Sequence, residues 1–134
     1  SRIGSILSGN PSAKYFLILY GTNDALVPAV SKATYKANML AILTAVKNAG
    51  KIPYLAKVPF TTNSSFDLTS IQDYNAAIDE LRASNGITVI APDFYTLFQN
   101  TTLLADGIHP NGTGYQSMAG SNPNAFSWFT ALTQ

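Results

Sequence analysis

The spacing of apolar residues along the chain predicts strands that alternate with helices. Residues 15–20, with the sequence YFLILY, are apolar at every position, and such a run is typical of a strand buried on both faces of a parallel sheet. Two further apolar segments follow, one closed by Pro59 and one preceded by Asn85-Gly86. We therefore predict three strands, at Tyr15–Tyr20, Ile52–Val58 and Ile87–Ala91.

Helical periodicity occupies the segments between these strands. Residues 2–8 have the pattern of a helix that stops at Gly9, and residues 31–49 predict an amphipathic helix that Gly50 ends. Thr69 and Gln72 have the spacing of a capping box, which predicts that the next helix begins there. A short helix over residues 94–98 and a C-terminal helical region broken near Pro123 complete the pattern. The apolar residues on the inner faces of the two long helices are Tyr35, Met39, Ile42 and Val46, and then Ile71, Tyr74, Ile78 and Leu81.

The alternation of helix and strand predicts an α/β fold with a parallel sheet and right-handed crossovers. A chain of 134 residues suits a single domain over residues 1–134, and 46% hydrophobic with 11% charged residues excludes a disordered chain. The net charge of +1 makes no case for a nucleic-acid partner. Without cysteine there are no disulfides and no thiol chemistry. No apolar stretch approaches the ~20 residues of a membrane span.

Two polar segments follow predicted strands at their carboxyl ends, where open α/β sheets bind ligands. The first is Gly21-Thr22-Asn23-Asp24, and the second is the loop from Asp106 to Gly112, which contains the only histidine, His109. Each segment also has a purely structural interpretation, the first as a tight turn with a helix cap and the second as a turn stopped by proline. Because both lie on one rim, the chemical interpretation gains weight. A carboxylate beside an imidazole fixes its tautomer, and an asparagine amide can donate to an oxyanion.

The two segments resemble blocks of a known family. Gly21-Thr22-Asn23-Asp24 is similar to the G-x-N-D block of the SGNH hydrolases, also called GDSL esterases/lipases, and residues 106–110 resemble their D-x-x-H-P block. The resemblance covers essentially the whole chain and implies a flavodoxin-like three-layer α/β/α fold with a parallel sheet. It implies that His109 is the general base, Asp106 its partner and Asn23 an oxyanion-hole donor.

The sequence departs from the family at the nucleophile. No Gly-Asp-Ser occurs in it, the second glycine-bearing block is absent, and Ser5, Ser8 and Ser117 fall in predicted helices. We therefore expect this chain to be the C-terminal part of a longer hydrolase domain, without the first two strands and the serine. The strand Tyr15–Tyr20 would then lie at an edge of the sheet, covered by an N-terminal fragment of the same protein or by a second copy.

The resemblance implies a serine ester hydrolase that acts on a small ester and needs no metal or organic cofactor. We expect the substrate to be lined by residues after the strands, namely Gly21, Asp24, Ala25, Pro59 and Ile108. Tyr20, Phe60 and Tyr115 can be core or pocket walls, with the core favoured for Tyr20. Nothing distinguishes a lipid ester from an acetylated sugar or a thioester.

Two other functions stay open at this point. One is a non-catalytic binding or interaction module on the same fold. The other is a metal-dependent hydrolase that uses Asp106, His109 and Asp93, although one histidine and no cysteine make a poor transition-metal site. Low charge with many Asn, Ser and Thr residues favours an exported protein, and glycosylation sequons begin at Asn63, Asn100 and Asn111.

Overall fold

Two parallel strands lie at the centre of the structure, a computed structural model that describes residues 2–120 and 127–133. Tyr15 lies opposite Ile52 in their register, and Ile18 lies opposite Leu55. The elements in chain order are α1 (Arg2–Gly9), β1 (Tyr15–Ile18), a 3₁₀ turn (Asn23–Ala25), α2 (Lys32–Asn48), β2 (Ile52–Leu55), α3 (Leu68–Ser84), α4 (Phe94–Phe98), a second 3₁₀ turn (Thr101–Leu103), α5 (Gly112–Ala119) and α6 (Trp128–Leu132). The prediction of an α/β fold with a parallel sheet is confirmed.

Helices pack on both faces of β2 and on one face of β1. On one face, Ile18 and Leu55 pack in a buried cluster with residues of α2 and α3. On the other face, Tyr54 packs with Ala91 and with Ala131 of α6. A third cluster joins Ala56, directly after β2, to the phenylalanines of α4 and to Trp128. The alternation of side chains along a strand sends successive residues to the two layers, as the three-layer arrangement requires.

The outer edge of β1 is bare in the part of the chain that the structure describes. β1 pairs with β2 on one side, and the sheet has two strands in all within residues 2–120 and 127–133. Tyr15 and Leu17 keep 42% and 43% of their surfaces exposed. The prediction that this strand is buried on both faces is therefore wrong for these two residues, because α4 to α6 cover the neighbouring strand and leave this face of β1 open.

Both strands are shorter than predicted. β1 ends at Ile18, because the carbonyl of Tyr20 accepts a hydrogen bond from the Tyr35 hydroxyl at 3.0 Å and the backbone turns away at Gly21. Tyr20 itself is half exposed, so the preference for a core position was wrong. β2 ends at Leu55, although Ala56 N still donates to Ile18 O at 3.0 Å.

The third predicted strand, Ile87–Ala91, does not form. Lys57 and Asp93 make a single parallel bridge just beyond it, and Lys57 N donates to Pro92 O at 3.0 Å. Within the segment, the carbonyl of Val89 accepts from the Arg82 guanidinium at 3.1 Å, so a side chain occupies a group that a ladder would use. The chain therefore passes beside β2 without pairing along its length.

The capping box at Thr69 is also wrong. Asp67 caps α3 instead, accepting from Thr69 N at 3.0 Å and from the Ser70 hydroxyl at 2.6 Å. An aspartate placed two residues earlier offers a charged acceptor, which outcompetes a threonine hydroxyl. Gln72 is thereby released, and its amide donates to the Tyr95 hydroxyl at 3.0 Å. The helix predicted over residues 31–49 is confirmed as α2, which ends before Gly50 as expected, and Ser31 provides its cap by accepting from Thr34 N at 3.3 Å.

The predicted helix break near Pro123 lies outside the described residues. α5 ends at Ala119, and α6 begins at Trp128 after the cap provided by Ser127. Among the helices that the structure describes, each is too short or too polar to cross a bilayer.

Candidate active site

The loop from Asp106 to Gly112 holds a carboxylate and an imidazole in contact. Asp106 Oδ2 lies 2.7 Å from His109 Nδ1. Asp106 Oδ1 accepts from the backbone N–H groups of Ile108 and His109 at 3.1 and 2.7 Å. The carboxylate therefore anchors the turn and orients the ring at once. In the neutral imidazole, a proton on Nδ1 leaves Nε2 free to accept a proton from a substrate or nucleophile.

The same bonds set the charge state of Asp106. The N–H and ring of His109 and the N–H of Ile108 lower the pKa of the Asp106 carboxyl to about 2. Asp106 is consequently a carboxylate at neutral pH. Both side chains remain largely open to solvent, with 55% of Asp106 and 69% of His109 exposed.

Backbone bonds close the loop around this pair. Ala105 N donates to His109 O at 2.8 Å, beside an antiparallel bridge between Leu104 and Pro110. Asn111 then caps α5, with its Oδ1 accepting from Gly114 N at 2.9 Å and its Nδ2 donating to Thr102 O at 2.7 Å. His109 thus lies two residues before the N-cap of α5, and the Asn111 side chain links the first turn of that helix to Thr102.

Gly107 joins this loop to the segment that follows β2. Its carbonyl accepts from Thr62 N at 2.9 Å and from the Thr61 hydroxyl at 2.7 Å. Its φ is +84°, and a Cβ there would lie 2.6 Å from Thr62 Oγ1. Both the backbone conformation and the close approach therefore require glycine.

The other segment, residues 21–24, turns sharply away from β1. Gly21 has φ +129°, and a Cβ on it would lie 2.6 Å from Val58 Cγ2 and 3.0 Å from Tyr35 Cε2. The 3₁₀ turn then begins at Asn23, whose side chain is exposed and makes no hydrogen bond to any other residue within the described ranges. An uncommitted amide of this kind is available as a donor to a ligand.

Two buried tyrosines hold this segment from behind. The rings of Tyr35 and Tyr74 stack with centroids 4.1 Å apart. The Tyr35 hydroxyl donates to Tyr20 O, and the Tyr74 hydroxyl lies within hydrogen-bond distance of Asp24 O, at 2.9 Å, and of Val30 O. Burial is the main cause that raises the pKa of both tyrosines, with the charge of Asp24 adding to it, so both stay protonated donors. From the sequence, Tyr35 and Tyr74 are predicted only as core positions. A hydroxyl at a core position already indicates that a buried hydrogen-bond partner is needed.

The structure brings some of the predicted site residues together and separates others. Asp106 and His109 are in direct contact, whereas Asn23 belongs to a different segment. Val58 lies against Gly21 of that segment, and Thr61 and Thr62 bond to Gly107 of the histidine loop. Asp24, Pro59 and Ile108 are half-buried. Ala25 is fully buried in the core, so its side chain does not face a substrate, and Gly21 is buried as well.

The residues of the metal alternative do not form a cluster. Asp93 caps α4, with its carboxylate accepting from Thr96 N at 2.9 Å and from the Thr96 hydroxyl at 3.0 Å. No group of three or more His, Asp or Glu side chains with metal-ligand spacing occurs in residues 2–120 and 127–133. A cavity of about 410 Å³ lies between the start of β2 and residues 85–89, at the opposite end of the strand from His109.

A family model decides the relationship. Residues 1–117 match the model of the GDSL-like lipase/acylhydrolase family. The chain belongs to this family. The GDSL-like assignment confirms the resemblance drawn from residues 21–24 and 106–110.

Two solved structures, of a lipase/acylhydrolase and of an esterase, share the fold. One is a lipase/acylhydrolase from Enterococcus faecalis, with a TM-score of 0.63 at 22% identity, covering 77% of this chain and 55% of the other. Another is an acetyl xylan esterase, AlAXEase, with a TM-score of 0.69 at 18% identity, covering 84% of this chain and 66% of the other. The chain thus spans less than two thirds of the length of either neighbour. A comparison with curated proteins found no match.

Proposed function

We propose that this chain carries the acid–base half of a serine ester hydrolase. His109 is the general base, Asp106 orients it and Asn23 donates to the oxyanion. The observation that carries the proposal is the 2.7 Å contact between Asp106 Oδ2 and His109 Nδ1, which leaves Nε2 pointing away from its partner in a family of acylhydrolases. The exposed Asn23 side chain, in the turn that follows β1, supports it.

The chemistry follows from these groups. Nε2 of His109 takes the proton of a serine hydroxyl as the serine oxygen attacks the ester carbonyl. Asp106 stabilises the imidazolium that forms, and the Asn23 amide donates to the negative oxygen of the tetrahedral intermediate. The intermediate collapses by releasing the alcohol, which receives the proton from Nε2. Water then attacks the acyl-enzyme in the same way and regenerates the serine.

The serine of this proposal lies in a segment outside the 134 residues. Ser5 and Ser8 both belong to α1, where the Ser8 hydroxyl donates to Ser5 O at 3.1 Å. Ser117 is 1% exposed inside α5. None of these three hydroxyls is bonded to His109 within the part of the chain that is described, and helix hydroxyls without a base are weak nucleophiles.

We place the serine-bearing segment along the bare edge of β1. Among residues 2–120 and 127–133 no strand pairs with that edge, and it is flanked by Tyr15 and Leu17, both of which are partly exposed and apolar. Beside it lies a cavity of about 230 Å³ lined by Arg2, Ile3, Ile6, Tyr20 and Ile42. A further parallel strand would satisfy the backbone groups and cover the apolar side chains. The share of the two structural neighbours that this chain leaves unmatched provides length for such a segment.

The substrate is proposed as a small ester. Pro59 and Ile108 present partly buried apolar surface close to the histidine loop, which suits a short acyl group. Because one structural neighbour is an acetyl xylan esterase, acetylated xylan belongs in a substrate panel with p-nitrophenyl acetate and a short-chain glyceride.

The test is labelling with a serine-directed fluorophosphonate, followed by an intact mass spectrum under denaturing conditions. We expect no label on the 134-residue chain alone. We expect hydrolysis of p-nitrophenyl acetate, with label on a second polypeptide or on added residues, when the serine segment is present. Label on a serine of this chain would overturn the external nucleophile. An assembled protein that takes no label and hydrolyses nothing would favour a binding module.

A further inference from the structure

Two neighbouring residues of α3 reach the two halves of the candidate site. Tyr74 and Asn75 are both buried, and Asn75 keeps only 6% of its surface exposed. A buried amide must find partners for its oxygen and its nitrogen, because an unpaired polar group is costly in the interior. The partners of Asn75 identify its role.

Asn75 holds the backbone of one residue with both ends of its amide. Its Oδ1 accepts from Val58 N at 2.7 Å, and its Nδ2 donates to Val58 O at 3.1 Å. The side chain therefore takes the place of a neighbouring strand at the point where β2 has ended. Val58 is fully buried and fixed in position by these two bonds.

Val58 in turn touches the Asn23 half of the site. Its Cγ2 lies so close to Gly21 that a Cβ on that glycine would be 2.6 Å from it. A shift of Val58 would therefore open or close the turn that presents Asn23, because the contact leaves no room for an independent movement.

The residues that follow Val58 hold the His109 half. Thr61 and Thr62 both donate to the carbonyl of Gly107, which lies between Asp106 and His109 in sequence. Only Pro59 and Phe60 lie between Val58 and Thr61, so a displacement at Val58 is transmitted along a short segment. Tyr74 completes the arrangement with its hydroxyl against Asp24 O.

We propose that Asn75 is a positioning residue that sets the Asn23 segment and the His109 loop in a fixed relation through Val58, with Tyr74 holding the Asn23 segment from the same turn of α3. The inference rests on the proposed function, because it assigns a purpose to the site described there. Its structural content can be measured without any catalytic activity.

The experiment compares Asn75→Leu with Leu81→Ala by nuclear magnetic resonance of the 134-residue chain. Leucine fills a similar volume but offers no hydrogen bonds, so Val58 N–H and C=O lose their partners. Leu81 lies two turns further along α3 and is buried in the same core, so its truncation is a control for general loss of stability. The probes are the amide signals of Gly21 and Gly107, the ring of the single histidine and the hydrogen exchange of the Thr62 amide.

We expect Asn75→Leu to move the Gly21, Gly107 and His109 signals together and to accelerate exchange at Thr62 by about tenfold or more relative to Leu81→Ala, since local opening governs such rates. Tyr74→Phe should move the residues around Asn23 and leave Gly107 unchanged. Changes confined to residues 58 and 75, or the same pattern of changes in Leu81→Ala, would overturn the proposal.

A second variant covers the case in which Asn75→Leu does not fold. Thr61→Val removes one donor to Gly107 O and should move the Gly107 and His109 signals without moving Gly21. Failure of both signals to respond would also overturn the proposal. If the coupling is found but the assembled protein hydrolyses no ester, the positioning role stands and the proposed function fails.

Discussion

Residues 21–24 and residues 106–110 differ in where their supporting hydrogen bonds come from. The first segment is held by side chains remote in sequence, since the Tyr74 hydroxyl reaches Asp24 O across 50 positions and Tyr35 reaches Tyr20 across 15. The second is held mainly by its own residues, with Asp106 bonded to groups two and three positions away. One half of the site is thus built by tertiary packing and the other by a local turn.

The difference indicates what each half tolerates. A local turn reforms wherever its own residues are kept, and its side chains can stay exposed without losing their geometry. A turn held by buried hydroxyls depends on the whole core and fails with it. The conformation of residues 21–24 should therefore be sensitive to substitutions in α2 and α3. The contact between Asp106 and His109 should depend mainly on its own residues, while the position of their loop depends on the bonds that Gly107 accepts from Thr61 and Thr62.

The largest effect is expected at His109, where a substitution should impair catalysis without impairing folding. In the assembled hydrolase, we expect His109→Ala to lower kcat by about 10³–10⁴ or more with little change in KM, because the base acts in the transition state. The exposed side chain contributes little to packing, so the unfolding transition should stay close to that of the parent. Steady-state kinetics on p-nitrophenyl acetate check this, with Gln116→Ala on the exposed face of α5 as control. A rise in KM alone would assign His109 to binding.

The next largest effect is expected on stability, from a substitution in residues 21–24, the segment that tertiary contacts hold. Gly21→Ala should lower the free energy of unfolding by about 2–5 kcal/mol, because the new methyl group meets Val58 and Tyr35 and the positive φ adds strain. Gly86→Ala is the matched control, since it has φ +63° with nothing within 4 Å. That variant should cost about 1 kcal/mol from the backbone alone. Urea unfolding measures both, and equal costs would contradict the close contact at Gly21.

A smaller effect on stability is expected from removing the Tyr35 hydroxyl, which supports the segment before Asn23. Tyr35→Phe leaves the ring stack intact and removes the donor to Tyr20 O, which should cost about 1–2 kcal/mol. Tyr15→Phe, on a half-exposed ring at the sheet edge, should change stability by less than about 0.5 kcal/mol. Thermal or urea unfolding of the two variants measures the difference. If Tyr35→Phe is as stable as Tyr15→Phe, the Tyr35 hydroxyl does not contribute to stability.

The smallest effect is expected on the pH dependence of stability, to which the Asp106 carboxylate contributes. The pKa of Asp106 is lowered to about 2 in the folded chain, against about 3.9 for a free aspartate, so its contribution to stability is fully present above pH ~4 and is lost as pH falls through 2. Asp106→Asn should therefore lose less stability between pH 5 and pH 2 than the parent, as urea titrations would show. Glu80→Gln is a useful companion, because Lys36 and Lys32 lower the pKa of Glu80 to about 2 at a site remote from His109. An unchanged acid response in Asp106→Asn would contradict the carboxylate's role in the turn.

The same contrast explains how much of the molecule could be predicted from its sequence. The contact between Asp106 and His109 and the two long helices depend on neighbours within a few positions, and the structure contains them as the sequence predicts. The fold class followed from the order of the elements. The strand at residues 87–91 was wrong because pairing depends on a distant partner, and here Arg82 takes a carbonyl of the segment.

The residues that the sequence did not reveal act through tertiary contacts. Asn75 sits in the apolar pattern of α3 as an ordinary helix residue, and only the end of β2 beside it shows that its amide replaces a strand. Tyr74 has the periodicity of a core position, and its hydroxyl finds partners on a loop far away in sequence. Ala25 was expected near the substrate because it follows the Asn23 turn, but the turn directs it into the core.

The N-cap residue of α5, Asn111, can be glycosylated in some expression hosts, so the host can change the covalent structure of the histidine loop. The Asn111 amide donates to Thr102 O at 2.7 Å and begins a glycosylation sequon. A sugar joined to that nitrogen would replace one of its protons and place a bulky group between the histidine loop and the second 3₁₀ turn. In a host that adds such glycans, a carbohydrate mass at Asn111 would mark the molecules whose loop was still open when the enzyme reached it.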